Sequence, residues 1–338
     1  MKDRSNKYPV IVDAMGGDFA PLEIIKGALE ASVRYSAEVK LVGDKDSIRK
    51  AADSGRLDIT DLEISPSTQE VGMDESPSDV LKNKKGSSIY IGSQLVGRGK
   101  GSAFLSAGNT GAVMACSLFN IKRIKGVFRP AIAAVIPLAD SRFVLIDAGA
   151  NADCKPIYLA QFALMGKVYS ENILGVKDPK IGIVNIGGEE KKGSELAVEA
   201  HKILKCIKGL DFVGNIEGRE MFEGSVDVVV TDGFTGNVIL KVLEGLAKMF
   251  FGEVKSALTS SFISKMAALI LKKPLKGMKN KFDYETYGGA QLLGLNAPVI
   301  ISHGSSKARA VRNAIRVGQE SLQTDLVEKI KKEIELFK

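Results

Sequence analysis

Short apolar runs rich in Val and Ile recur along the chain, and each ends in a small polar cluster containing glycine or serine. The run at 10–12 leads into Asp13-Ala14-Met15-Gly16-Gly17-Asp18, and that at 103–105 into Ser106-Ala107-Gly108-Asn109-Thr110-Gly111. Runs at 143–146 and 181–184 lead into Asp147-Ala148-Gly149-Ala150-Asn151 and Asn185-Ile186-Gly187-Gly188. The last two, at 226–230 and 299–301, meet Thr231-Asp232-Gly233-Phe234-Thr235-Gly236-Asn237 and Ser302-His303-Gly304-Ser305-Ser306. Helical periodicity fills 21–36, 157–174, 194–207 and 308–319, followed by a charged amphipathic tail at 322–337. Continuous apolar runs mark strands buried on both faces, so the pattern predicts an α/β fold with a largely parallel sheet between two helix layers. Ligands bind such sheets outside the carboxyl ends of the strands. One such turn needs glycine for its bend and Asp, Asn, Ser or Thr as a helix cap in any case. Six turns of the same chemistry are candidate walls of a single crevice.

The 338 residues contain no repeat and no biased linker, which predicts one large domain over 1–338. The formal charge of +7 is concentrated: between 248 and 281 stand eight lysines and one acid, Glu253, and the rest of the chain is balanced. Within that segment Phe251, Val254, Leu258, Phe262, Met266 and Leu269 recur at three- and four-residue intervals, one face of a helix. Pro274 is expected to end this helix, with a second Lys-rich stretch returning as a hairpin. Its apolar face packs either in a core or dimer interface, or against an anionic membrane surface. No run approaches the length of a transmembrane helix and residues 1–8 lack the apolar stretch of a secretory signal, so a cytoplasmic protein is expected. Cys116, Cys154 and Cys206 are widely spaced, and with only His201 and His303 there is no zinc pattern. No basic groove interleaved with aromatics is present, so no nucleic acid partner is expected.

No stretch supplies G-x-G-x-x-G, which leaves a dinucleotide unsupported, and Gly188-Glu189-Glu190-Lys191-Lys192-Gly193-Ser194 lacks the Lys before Ser of an ATP loop. Its consecutive N–H groups, two lysines and Ser/Glu helix start suit a small oxyanion such as phosphate; otherwise Lys191 and Lys192 are solvated turn charges. Lys82, Lys84 and Lys85 form an exposed helix end or a docking patch for a polyanion. His303 is a candidate acid/base or hydrogen-bond group, or else a buried hydrogen-bonded histidine, and His201 reads as structural or exposed. Asp13, Asp18, Asp147, Asp153 and Asp232 either converge on Mg²⁺ or cap helices. No Gly-x-Ser-x-Gly elbow appears, so a covalent acyl-enzyme is disfavoured.

Together, Val12-Asp13-Ala14-Met15-Gly16-Gly17-Asp18, Ser106-Ala107-Gly108-Asn109-Thr110-Gly111-Ala112 and Asp147-Ala148-Gly149-Ala150-Asn151 resemble signatures of the bacterial phosphate acyltransferases, the PlsX family. Asn185-Ile186-Gly187 with Lys191-Lys192-Gly193, the 231–237 turn, Tyr287-Gly288-Gly289-Ala290 and His303-Gly304-Ser305-Ser306 complete the set in family order. Lys84-Lys85-x-Ser87-Ser88 also resembles a family motif, although Leu81-Lys82 stands where an arginine is often found. The resemblance implies a three-layer α/β/α fold like the phosphotransacetylases and isocitrate dehydrogenase-like enzymes, assembled as a homodimer. It implies transfer of a long-chain acyl group from acyl carrier protein to inorganic phosphate, giving acyl phosphate for phospholipid synthesis, at the inner face of the cell membrane. Phosphate is largely dianionic at neutral pH and a thiol leaves readily, so the reaction needs neither cofactor nor metal.

Under that resemblance Lys191 and Lys192, with Gly187, Gly188 and Ser194, are expected to hold phosphate. Asn109, Thr110, Asn151, Asn185 and Asn237 donate near the carbonyl, and Asp232 and His303 orient the site or assist thiol departure. Asp13, Gly16, Gly17, Gly111 and Gly233 complete the substrate walls; Lys82, Lys84 and Lys85 face acidic carrier protein, and Phe262 and Leu269 face the membrane. Two rivals stand beside this reading: a phosphotransacetylase-like enzyme using acyl-CoA, and a non-catalytic membrane scaffold.

Overall fold

The computed structural model describes residues 8–281 and 286–337. The six apolar runs all become strands, and five further strands join them. In chain order these are β1 (Val10–Asp13), β2 (Val39–Gly43), β3 (Glu63–Pro66), β4 (Ala103–Ser106), β5 (Ala131–Pro137), β6 (Arg142–Ile146), β7 (Ile181–Val184), β8 (Phe212–Ile216), β9 (Val228–Val230), β10 (Ala290–Leu293) and β11 (Val299–Ile301). They form one sheet in the order β3-β2-β1-β4-β11-β10-β5-β6-β9-β7-β8, in which only the β11–β10, β10–β5 and β5–β6 pairings are antiparallel.

Alternate residues of the central strands enter different cores, which is why the runs are apolar throughout. Ile11, Phe104, Ile132, Phe143 and Leu145 join one continuous core on one face. On the opposite face Val10, Val12, Ala103 and Leu105 pack in one cluster, and Ala131, Ala133, Val144 and Ile146 in another. Helices cover both faces, giving the three layers the sequence predicts.

The antiparallel strands in the middle decide where the turns go. β1–β4 and β11 run one way and β6–β9 the other. The register Ile301↔Ala290, Gln291↔Ala133 and Ala133↔Ile146 sets the ends of β11 and β6 level. With β10 and β5 between them, those ends stand roughly 14 Å apart. The carboxyl ends of two oppositely directed half-sheets therefore meet at mid-sheet.

The basic segment is an arm of two helices, and two expectations are corrected here. The apolar stripe does not lie on one helix: the chain runs from the helix Gly233–Thr259 into the helix Phe262–Lys281, breaking at Ser260 and Ser261. Ser261 Oγ accepts the Ser264 N–H at 3.1 Å, starting the second helix. Nor does Pro274 end that helix, which continues to Lys281. The missing N–H leaves the carbonyl four residues back, that of exposed Ile270, to solvent, so the loss is local. Among the described residues no helix is long and apolar enough to cross a membrane.

Candidate active site

Two strand-end aspartates shape the turns. Asp13 Oδ1 accepts the N–H of Met15 (3.0 Å) and Gly16 (3.2 Å), while Oδ2 accepts Ser106 Oγ (2.6 Å). A side chain on Gly16 would meet Asp13 Oδ2 at 2.5 Å and the Gly108 nitrogen at 2.6 Å, so only glycine lets these two turns close together. The Asp18 N–H donates to Gly304 O at 2.8 Å, bringing in the β11 turn. Asp147 repeats the device at the end of β6. It accepts N–H groups from Ile132, Gly149, Ala150 and Asn151, and the Asn151 side-chain amide. Burial pushes both carboxyl groups above the ordinary carboxylate value against these donors. Both aspartates, like Asp232 capping the helix Gly233–Thr259 through Thr235, are engaged locally. Among the described residues no group of three or more His, Cys, Asp or Glu side chains is placed to hold a metal ion.

Beside these turns lies a cavity of about 1160 Å³, walled by β5, the helices Thr110–Asn120 and Gly233–Thr259, and Met278 of the second arm helix. Its polar end carries Thr110, Gly149, Asn237, Ser302 and His303. The Thr110 and Gly111 N–H groups, at a helix start, have no partner among the described residues. Ser302 Oγ is buried without a hydrogen-bond partner among the described residues, and His303 Nδ1 lies 2.8 Å from Ser305 Oγ. The remaining wall is apolar, through Met114, Leu118, Ile136, Leu240, Leu243 and Phe250. Oxyanion donors at one end and a long greasy wall at the other suit a molecule with an acyl tail and a reacting carbonyl.

The structure brings Thr110, Gly111, Asn237 and His303 to this cavity, with Asp13, Gly16, Gly17, Asn151 and Gly233 behind them as framework. Asn109 directs its amide to the carbonyls of Gly72, Met73 and Glu75 at 2.9–3.2 Å and caps its helix through Ala112, so it fastens the 72–77 wall. Asn151 donates to Pro130 O and Asp147. The β7 turn lies outside the lining. There Asn185 bonds the Lys192 carbonyl at 2.7 Å, Lys192 pairs with Glu189 at 2.8 Å, Lys191 and Gly188 are exposed, Gly187 is buried, and Ser194 caps the next helix. Lys84 is committed to Glu75 (2.5 Å) and Glu70 O (2.6 Å), whereas Lys82 and Lys85 are exposed beside it. His201 is buried, its Nδ1 2.9 Å from Asn215 Oδ1, so of its two readings the structural one holds. The sequence reading missed Ser302 and the β5 wall; the unbroken apolar run at 131–136 was the available signal.

Solved phosphotransacetylases share this fold. A phosphotransacetylase from Streptococcus pyogenes superposes with a TM-score of 0.61 at 19% identity, over 94% of this chain and 95% of that one. EutD phosphotransacetylase from Staphylococcus aureus gives 0.59 at 18% identity, over 93% and 94%. At this identity the likeness shows the fold. The chain belongs to the family described as fatty acid synthesis protein, whose family model matches residues 9–329. A relative named phosphate acyltransferase from Pelotomaculum thermopropionicum is 48% identical over 327 residues, 96% of this chain and 95% of the relative. Another of that name from Thermoanaerobacterium thermosaccharolyticum is 45% identical over 328 residues, 97% of each.

Proposed function

We propose that this chain moves a long-chain fatty acyl group from acyl carrier protein to inorganic phosphate, releasing the carrier thiol and an acyl phosphate for phospholipid synthesis. The observation that carries the reading is the cavity of about 1160 Å³ joining unpaired helix N–H groups to an apolar wall. In this scheme the acyl chain lies along Leu240 and Leu243, with the thioester carbonyl at the polar end. A phosphate oxygen attacks that carbonyl, the Thr110 and Gly111 N–H groups with Asn237 stabilise the oxyanion, and the C–S bond breaks to leave a thiolate. His303, anchored by Ser305, orients phosphate or protonates the leaving sulfur. Lys191 and Lys192 attract phosphate from the neighbouring turn, Lys192 exchanging Glu189 for it.

Phosphate-dependent release of free carrier thiol from long-chain acyl carrier protein tests the reading; a chain that releases none in the presence of phosphate is not this enzyme. Equal use of acyl-CoA would favour the phosphotransacetylase-like alternative. Lys192→Ala is expected to raise KM for phosphate, and an unmoved KM would return phosphate binding to the helix start alone. The arm supports a homodimer and peripheral membrane association, since Phe262 and Leu269 are 79% and 65% exposed on a lysine-rich helix. Phe262→Glu with Leu269→Glu is expected to abolish binding to anionic vesicles; loss of folding instead would make these side chains core residues.

A further inference from the structure

The loop between the helix Thr110–Asn120 and β5 carries Lys122, Arg123, Lys125 and Arg129 and no acid. These four, with Phe128 and Tyr158, line a separate pocket of about 720 Å³. The chain-wide balance of charge outside 248–281 hides this cluster, because acids elsewhere cancel it.

The loop is built, not slack. Buried Gln161 accepts the Phe128 N–H at 2.8 Å and donates to Gly126 O at 2.9 Å. Asn296 donates to the carbonyls of Ile121, Lys122 and Arg123 at 3.3, 3.1 and 3.0 Å. The Arg123 guanidinium donates to the carbonyls of Val127 and Phe128, so this cation shapes the loop. Lys122, Lys125 and Arg129 remain exposed, with no carboxylate partner among the described residues. Like charges held together on a rigid loop repel one another, and an anion in the pocket relieves that repulsion. The Phe128 and Tyr158 rings, 5.8 Å apart, add an apolar wall.

Position narrows the ligand. Leu118 and Pro130 line both this pocket and the large cavity, and Pro130 O holds Asn151 at 2.8 Å. A molecule seated here by an anionic group lies beside the large cavity, separated from it by the shared Pro130 and Leu118. We propose that the pocket binds the phosphate of the phosphorylated pantetheine arm that carries the acyl thioester, through Lys122, Lys125 and Arg129. This rests on the acyl-transfer reading above and adds to it how the donor is recognised.

The test uses the full chain and two measurements. In calorimetry, 4′-phosphopantetheine binds, pantetheine binds at least about tenfold more weakly, and the difference shrinks at high salt. Lys125→Glu with Arg129→Glu, and the milder Lys125→Gln with Arg129→Gln, reduce that discrimination, the reversal to near unity. In steady-state assays the same variants raise KM for long-chain acyl carrier protein and for acyl-4′-phosphopantetheine together, because both carry the phosphorylated arm. Equal binding of both probes, or undiminished discrimination in the reversal variant, overturns the proposal. So does a KM effect confined to inorganic phosphate, or one confined to the carrier protein, which would assign the pocket to phosphate entry or to the carrier's acidic surface. If no donor is turned over by the wild type, the catalytic reading fails while the calorimetry still decides the pocket.

Discussion

Gly236 is where the turn after β9 presses most closely on the turn after β6, and Gly236→Ala tests whether that contact positions the chemistry. A Cβ there would stand 1.9 Å from the Asp147 carbonyl oxygen, 2.9 Å from its carbon and 3.1 Å from Thr231 Cγ2. A carbon needs about 3.3 Å from such an oxygen, so the helix start and the β6 turn must part by more than about 1 Å. The first two neighbours are backbone, and no flexible side chain can yield to them. Overpacking of this kind costs about 1–3 kcal/mol, and the rigid surroundings place the variant near 3 kcal/mol. The same displacement carries Asn237 away from Gly149, and about 1 Å of misplacement lowers kcat by about 100-fold. Gly245→Ala is the control: it lies in the same helix with nothing within 4 Å of an added Cβ. There alanine should stabilise by about 0.5–1 kcal/mol through helix propensity. Urea unfolding and phosphate-dependent thiol release measure both variants. A Gly236→Ala protein within about 0.5 kcal/mol of the wild type and equally active would refute the reasoning. Equal damage from Gly245→Ala would do the same.

Asn109→Ala removes a helix cap worth about 1 kcal/mol and frees three carbonyls, so a total loss of about 2–3 kcal/mol is expected, with faster amide exchange at 72–75; unchanged exchange there would contradict the tether. Asp147 has its pKa raised by burial, so between the unfolded value of 3.8 and the folded one the native state holds a proton the unfolded chain has lost. Its contribution is therefore full below the unfolded value and lost as pH rises through the folded one, and Asp147→Asn should remove that downward slope in urea unfolding; a slope of the opposite sign in the wild-type-minus-variant difference would reject the assignment. Leu243→Trp fills part of the apolar wall and should shift the preferred acyl donor to shorter chains, read as kcat/KM across chain lengths; an unaltered profile would remove the acyl chain from this cavity.

Much of the fold was legible because its signals are local. Unbroken apolar runs at 10–12 and 143–146 announce strands with a core on each side, and the glycines after them announce turns that Asp13 and Asp147 can brace. The five remaining strands carry weaker local signals: β3 is short and half exposed, and β5 differs from a buried helix only by its pairing. The detail of the arm is hidden from the sequence because helical spacing survives a two-residue break, and because an exposed helix tolerates Pro274 where a packed one would not.

The site was legible as a set of turns but not as an arrangement. Thr110, Asn237 and His303 share a chemistry with Asn109 and Asn185, yet they line the cavity while Asn109 ties down a loop and Asn185 braces a turn outside it. Sequence alone settles the six most strongly apolar strands and the glycine turns that follow them, since those depend on a residue and its near neighbours. Which strand ends stand level across the antiparallel β10–β5 joint is decided by non-local register, and with it which glycine turns share one cavity.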